Sequence, residues 1–120
     1  KPGAVMLISV PNYLPESLCW MYSKEYMQTP GGHIRIFKKD FLKECFKELN
    51  LKLFKHHREH SMHSIYWILK ARNNMKENDF LKSLHALLVK QMFGQAKFSL
   101  FLEKLLNPLF GKSECFYLRK

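Results

Sequence analysis

An α/β fold with three strands is the class this sequence predicts, and three observations predict it. Residues 4–10, AVMLISV, form a short, nearly continuous apolar run bounded by Pro2-Gly3 before and Pro11-Asn12 after. That is the pattern of a strand buried on both faces, as in a parallel sheet under helices. Phe41, Leu42, Cys45, Phe46 and Leu49 fall at i, i+1, i+4, i+5 and i+8, which is one apolar helix face. Strand-like and helix-like segments then alternate (strand, two helices, strand, two or three helices, strand), as they do in an α/β sheet.

Each element has its local reason. Pro11 ends the first strand, and Pro15-Glu16-Ser17 opens a helix with Pro in the first turn and an acid beside it. That helix carries Leu18, Cys19, Met21, Tyr22 and Tyr26. Thr29-Pro30-Gly31-Gly32 is a loop. HIRIF, residues 33–37, is a short extended stretch whose alternation sets His33, Arg35 and Phe37 on one side and sends Ile34 and Ile36 to the core. After the helix from Asp40, Asn50 suits a left-handed helix stop. LKLFKHH, residues 51–57, alternates apolar and basic residues, as a strand with one wetter face would.

From Ser64 the pattern is helical, with Ile65, Trp67, Ile68 and Leu69, until Asn73-Asn74 breaks it. Asp79 is placed to cap a helix holding Phe80, Leu81, Leu84, Leu87, Leu88 and Met92. Gly94 interrupts, Phe98, Phe101, Leu102, Leu105 and Leu106 make a second apolar face, and Asn107-Pro108 is expected to stop it. These helices are too apolar to be solvated decoration, so they form a lid, form a dimer surface or cover the sheet. SECFYLR, residues 113–119, reads as a final strand, which a mixed sheet allows to lie antiparallel at or near its edge.

Composition narrows the classes. At 120 residues the chain is one domain or part of one, and 47% hydrophobic residues argue against disorder. Ten Phe residues predict an aromatic-rich core. No apolar run approaches the ~20 residues of a membrane span, and KPGAVMLISVPN has no cleavage signature of a signal peptide. Cys19, Cys45 and Cys115 are odd in number and widely spaced, which suits free thiols in a reducing, cytoplasmic setting. The net charge of +10 attracts polyanions such as nucleic acid, although scattered Lys residues serve solubility equally well. The opening Lys1-Pro2-Gly3 turn feeds straight into a strand, so the expectation is the back half of a larger sheet.

Three stretches carry a family likeness. KPGAVMLISVPN resembles the turn and fifth strand of S-adenosylmethionine-dependent methyltransferases with the Rossmann-like fold, where Lys-Pro-Gly-Gly introduces the strand; Ala4 stands in place of the second Gly. GGHIRIFKKDFLKECFKELNLKLFKHH resembles the family's His-x-Arg-x-Phe segment, short helix and sixth strand. NPLFGKSECFYLRK is similar to its seventh, antiparallel strand. The likeness implies that residues 1–120 are a single partial domain, the C-terminal part of such a sheet, with an α-helical insertion or lid over 64–107 before the last strand. It implies S-adenosylmethionine as methyl donor and a small-molecule or macromolecular acceptor. The family holds the donor on a Gly-rich turn after its first strand and an acid ending its second. Here Gly3, Gly31, Gly32, Gly94 and Gly111 form no G-x-G-x-G, so no backbone cradle of that kind is available. The acceptor side is the share expected of this chain.

HHREHSMHSIYW, residues 56–67, concentrates imidazole at what would be the carboxyl end of the sixth strand. His56, His60 and His63 are four and three apart, a metal-like spacing on a helix. His56 and His57 fall on strand, however, no Cys is near and no HExxH occurs, so no metal is expected. Ligands in such sheets bind at the carboxyl ends of strands. That makes His60 and His63 the catalytic candidates, as neutral imidazoles able to take the acceptor's proton, with Tyr66 and Trp67 contacting the acceptor. The bland alternative is that Ser61 or Ser64 caps a helix and the imidazoles are solvated.

His33 and Arg35 are further binding candidates, Arg35 holding a carboxylate or phosphate or else pairing with Asp40 or Glu44. Asn12 meets the acceptor or the donor, or is a turn residue. Two rival functions remain: a basic RNA-binding module, and a helical domain that forms a homodimer through residues 80–106.

Overall fold

The computed structural model describes residues 1–30 and 32–120; Gly31 of the expected 29–32 loop lies outside them. In chain order the elements are β1 (Val5–Pro11), α1 (Tyr13–Tyr22), α2 (Lys24–Gln28), α3 (Lys39–Glu48), β2 (Lys52–Glu59), α4 (Ser61–Arg72), α5 (Asp79–Met92), α6 (Lys97–Phe110) and β3 (Ser113–Arg119). The fold is α/β, as expected. No helix among the described residues is long and apolar enough to cross a membrane.

The sheet order is β1-β3-β2, with β3 antiparallel to both neighbours. β1 and β2 therefore run in the same direction without touching. The register aligns Pro11, Ser113 and Glu59 in one row and Val5, Arg119 and Lys52 in another. The carboxyl ends of β1 and β2 thus meet the amino end of β3. The final strand is antiparallel, as expected, and it lies at the centre of the three-stranded sheet, one strand in from either edge. Its alternation explains why: Phe116 and Leu118 are fully buried and pack with Leu42 and Phe46 of α3, a role an edge strand could not fill from both sides.

β1 departs from expectation. It pairs antiparallel, with β3 alone, and Val5, Met6 and Leu7 stay 58%, 47% and 58% exposed. An apolar run on both faces shows that a strand can be covered twice; among the described residues nothing covers its outer side. HIRIF is not extended strand. Ile34 is 92% exposed, Ile36 is only half-buried, and Phe37 alone anchors the segment, stacked on Phe41 and packed against the sheet core. Without a neighbouring ladder the alternation has no sheet to act on.

The helices keep their expected order with shifted ends. Tyr26 falls on a separate short helix, because Ser23 breaks α1 and caps α2 by accepting the Tyr26 N–H at 3.1 Å. Neither Ser61 nor Ser64 caps α4: the cap position is His60, in the left-handed conformation at φ 66°, and the helix begins three residues earlier than read. Asn78, not Asp79, caps α5, its side chain accepting from the Leu81 N–H at 2.8 Å. α6 continues through Pro108 to Phe110, giving up one bond, the one Pro108 cannot donate to the Lys104 carbonyl, only two residues before the helix ends. It stops at Gly111, where a Cβ would meet Arg58 Cβ at 2.5 Å and the Asn107 carbonyl at 2.8 Å. The helical connection thus spans α4 to α6 rather than 64–107. It holds its own core of Tyr66, Leu81 and Leu88, separate from the sheet core.

Candidate functional site

The row at the carboxyl ends of β1 and β2 is where the functional side chains gather. Asn12 follows β1 and is buried. Its amide Nδ2 donates to the Gly111 carbonyl at 2.7 Å and its backbone N–H to the Lys112 carbonyl at 2.7 Å. Asn12 thus joins the start of α1 to the turn before β3.

One helical turn further, Glu16 is wholly buried, and three groups converge on it. Lys112 Nζ donates at 2.7 Å, the Tyr26 hydroxyl at 3.0 and 3.1 Å, and His33 Nδ1 lies 3.0 Å away. The Lys112 ammonium also stands over the rings of Tyr26 and Trp67, at 5.7 and 5.8 Å from their centroids. Trp67, from α4, meets Tyr26 edge-on at 5.6 Å. Burial, then the Glu16 charge, pushes the Tyr26 phenol upward, so it remains a donor at neutral pH. Burial pushes the Cys19 thiol beneath it up to about 11, against the pull of Lys112.

Cavities open around this network. One of about 230 Å³ is walled by Tyr26, His33, Trp67 and Lys112. A second, about 270 Å³, shares Trp67 and Lys112 and adds His60, His63, Met92 and Ser113. A third, about 230 Å³, continues from His60 and His63 to Gln91, Leu100 and Glu103. Here His60 and His63 stand edge to face, with centroids 5.6 Å apart. Burial, followed by the neighbouring His60, Lys112 and His85, lowers the His63 imidazole below its ordinary value, so it is neutral at pH 7. Burial raises the Glu103 carboxyl.

Of the residues read from the sequence, His33, His60, His63 and Trp67 come together at one end of the sheet, with Asn12 bracing it from behind. Tyr66 does not line these cavities. It is buried in the helical core against Trp67 and His85, and its hydroxyl accepts from Lys70 at 3.3 Å. Arg35 is exposed, and among the described residues it forms no hydrogen bond or ion pair, so the pairing with Asp40 or Glu44 is not made. His56 and His57 leave the cluster, as strand alternation demands: one ring packs on Phe116, the other on Tyr117. They border a larger basic groove of about 530 Å³ with Lys39, Arg58 and Lys104. That groove lies along the β2 edge, and none of Glu16, Tyr26, His63 or Lys112 lines it, which sets it apart from the network at the sheet end.

Sequence reasoning missed Glu16, Tyr26, Lys112 and Glu103. For Glu103 a signal exists: Ser99, Glu103 and Asn107 form a polar i, i+4, i+8 stripe in a helix whose other residues, Lys97 and Lys104 apart, are apolar, and all three are buried. For Glu16 and Lys112, 96 residues apart, nothing local announces the pair.

No protein-family model, curated protein or solved structure matches this chain.

Proposed function

We propose that the chain is the acceptor-side, C-terminal portion of an S-adenosylmethionine-dependent methyltransferase with a Rossmann-like sheet. The observation that carries this reading is the arrangement at one end of the sheet. Two strands run the same way with an antiparallel strand between them, and cavities edged by Lys112, His33, His60 and His63 open where both carboxyl ends meet. Ligands of open α/β sheets lie outside the carboxyl ends of the strands. The bare outer side of β1, with Val5, Met6 and Leu7 uncovered, suits a strand with a further neighbour.

In this reading the methyl group passes from the sulfonium of S-adenosylmethionine to an acceptor heteroatom by in-line displacement, favoured chiefly by positioning. Trp67 and Tyr26 supply flat apolar walls, while Lys112 and His33, both held by Glu16, orient a polar acceptor. A proton released by a hydroxyl or amine has the neutral His63 imidazole to go to.

Two measurements test this. Calorimetry on the 120-residue chain should give no saturable heat with S-adenosylmethionine. A polypeptide that includes the coding sequence upstream of Lys1 should bind it. Tight binding by the chain alone ends the division of labour, and an upstream frame without a Gly-rich turn after a strand ends the methyl-transfer reading.

A second reading is favoured by one observation. α5, its cap residue Phe93 and α6 leave Phe80, Met92, Phe93, Phe98, Phe101 and Leu105 64–76% exposed, and exposed apolar side chains that cluster mark interaction surfaces. A homodimer through these helices would cover it.

A further inference from the structure

We propose that His60, His63 and Glu103 form a site for one divalent transition-metal ion of the zinc class. The inference goes beyond methyl transfer and does not depend on it. The three side chains come from two places in the fold: His60 and His63 from the start of α4, Glu103 from the middle of α6. One ligand atom of each lies within 4.8 Å of the others. Donors about 2.1 Å from a tetrahedral zinc stand roughly 3.4 Å from one another, so a closure of up to about 1.4 Å from the 4.8 Å limit completes the geometry. His60 is exposed and can supply that movement.

Proximity alone would not make a site; the condition of the polar atoms does. Glu103 is 7% exposed, and its Oε1 is buried without a hydrogen-bond partner, as is His63 Nδ1. Buried polar atoms are rarely left unpaired, and each such case calls for a reason such as a bound ion. The other carboxylate oxygen is fixed: Gln91 Nε2 donates to Glu103 Oε2, and the Ser99 hydroxyl donates to Gln91 Oε1. All three residues are buried. Ser61 ties the two ligand-bearing segments together, donating its hydroxyl to the Glu103 carbonyl at 3.0 Å. A ligand oriented by outer hydrogen bonds with one lone pair left over is how metal sites are built.

The backbone adds an independent mark. His60 holds φ 66° without being glycine, a conformation that costs energy for most side chains and gathers at functional positions. Its imidazole stands beside that of His63 at the head of the helix, with ring centroids 5.6 Å apart. Two imidazoles and one carboxylate with an open position are a donor set that zinc uses; magnesium and calcium favour all-oxygen sets. The cavity toward Trp67 and Lys112 leaves room for the open position. Proton and metal compete for the same imidazole lone pairs, so His63 holds one or the other at a time.

The test uses the metal alone. The chain, freed of metal by chelator, is dialysed against Zn²⁺ and its content measured, and calorimetry gives the affinity. Co²⁺ substitution then reports the ligands through visible absorption. One equivalent is expected, with no thiolate-to-cobalt band in the near ultraviolet. His60→Gly, which relieves the left-handed backbone, and Glu103→Gln, which keeps the bond from Gln91, should each weaken binding. The loss should exceed the roughly 10–100-fold that outer-shell changes cost. His57→Ala, on the strand, should bind like the parent. Absence of stoichiometric binding, affinity retained in either ligand variant, or a thiolate band overturns the site. None of these outcomes touches S-adenosylmethionine binding, so the two proposals fail separately.

Discussion

A single buried carboxylate organises the sheet end. Glu16 is held by Lys112, Tyr26 and His33 from three other segments, and Cys19 lies one turn along the same helix. The environment that stabilises neutral groups here sets a pH dependence. Burial moves the Cys19 thiol from 9.0 up to about 11, so the folded protein prefers the thiol while the unfolded chain ionises near 9. A raised value means the contribution is whole below about 9 and is lost as pH climbs toward about 11. Tyr26, also pushed upward by burial, adds loss of the same sign at the alkaline end. The urea midpoint should hold from neutral pH to about 9 and then fall, with a shallower fall in Cys19→Ala. Equal slopes in the two proteins would show that burial of the thiol carries no such linkage. At this scale the sequence was legible for His60, His63, Trp67 and His33, whose types and neighbours marked them. Glu16 and Lys112 were not, because a long-range ion pair leaves no periodicity.

Among the elements, α6 departs furthest from its sequence pattern. Periodicity identified the helix and the residues sharing a face, but periodicity does not say which face turns inward. Ser99, Glu103 and Asn107 point in, while Phe98, Phe101, Leu105 and Leu109 stand 62–75% exposed. The polar stripe wins the interior because each of its members has a buried bonding partner: Gln91 for Ser99 and Glu103, Ser61 for Asn107. The apolar face is then left exposed, and in the dimer reading a second copy of the chain covers it. Sedimentation should show mass rising with concentration, and the double variant Phe98→Glu, Phe101→Glu should remain monomeric with unchanged helical signal. A parent monomeric at every concentration, or a double variant that still pairs, removes the dimer reading. β3 was legible in extent as SECFYLR, because its Cys-Phe-Tyr-Leu run favours strand and Gly111 precedes it, but the alternation of its burial appears only in the sheet. HIRIF was misread because the same alternation recurs without a partner strand.

The whole molecule is a slab rather than a ball. Its extents are 52 × 34 × 22 Å and its radius of gyration is 16.2 Å, against about 14 Å for a compact chain of this length. The reason is two cores: Leu42, Phe46, Phe116 and Leu118 under the sheet, and Tyr66, Leu81 and Leu88 among the helices. Sequence periodicity could mark both sets of residues but not their division. A polar seam joins them. Asn107 accepts the Ser61 N–H at 3.0 Å and donates to Glu59 at 2.8 Å; Arg58 binds Glu114 at 2.8 Å and the Pro108 carbonyl at 2.7 Å. Polar seams hold by geometry, so cutting one bond strands buried groups on both sides. Asn107→Ala should therefore cost about 1–3 kcal/mol, and the loss should be uneven. Native-state hydrogen exchange should quicken across α4 and α6, while the amides of Phe116 and Leu118 keep their protection, because the sheet core does not depend on the seam. Protection lost equally in both halves would mean that the two cores unfold as one unit.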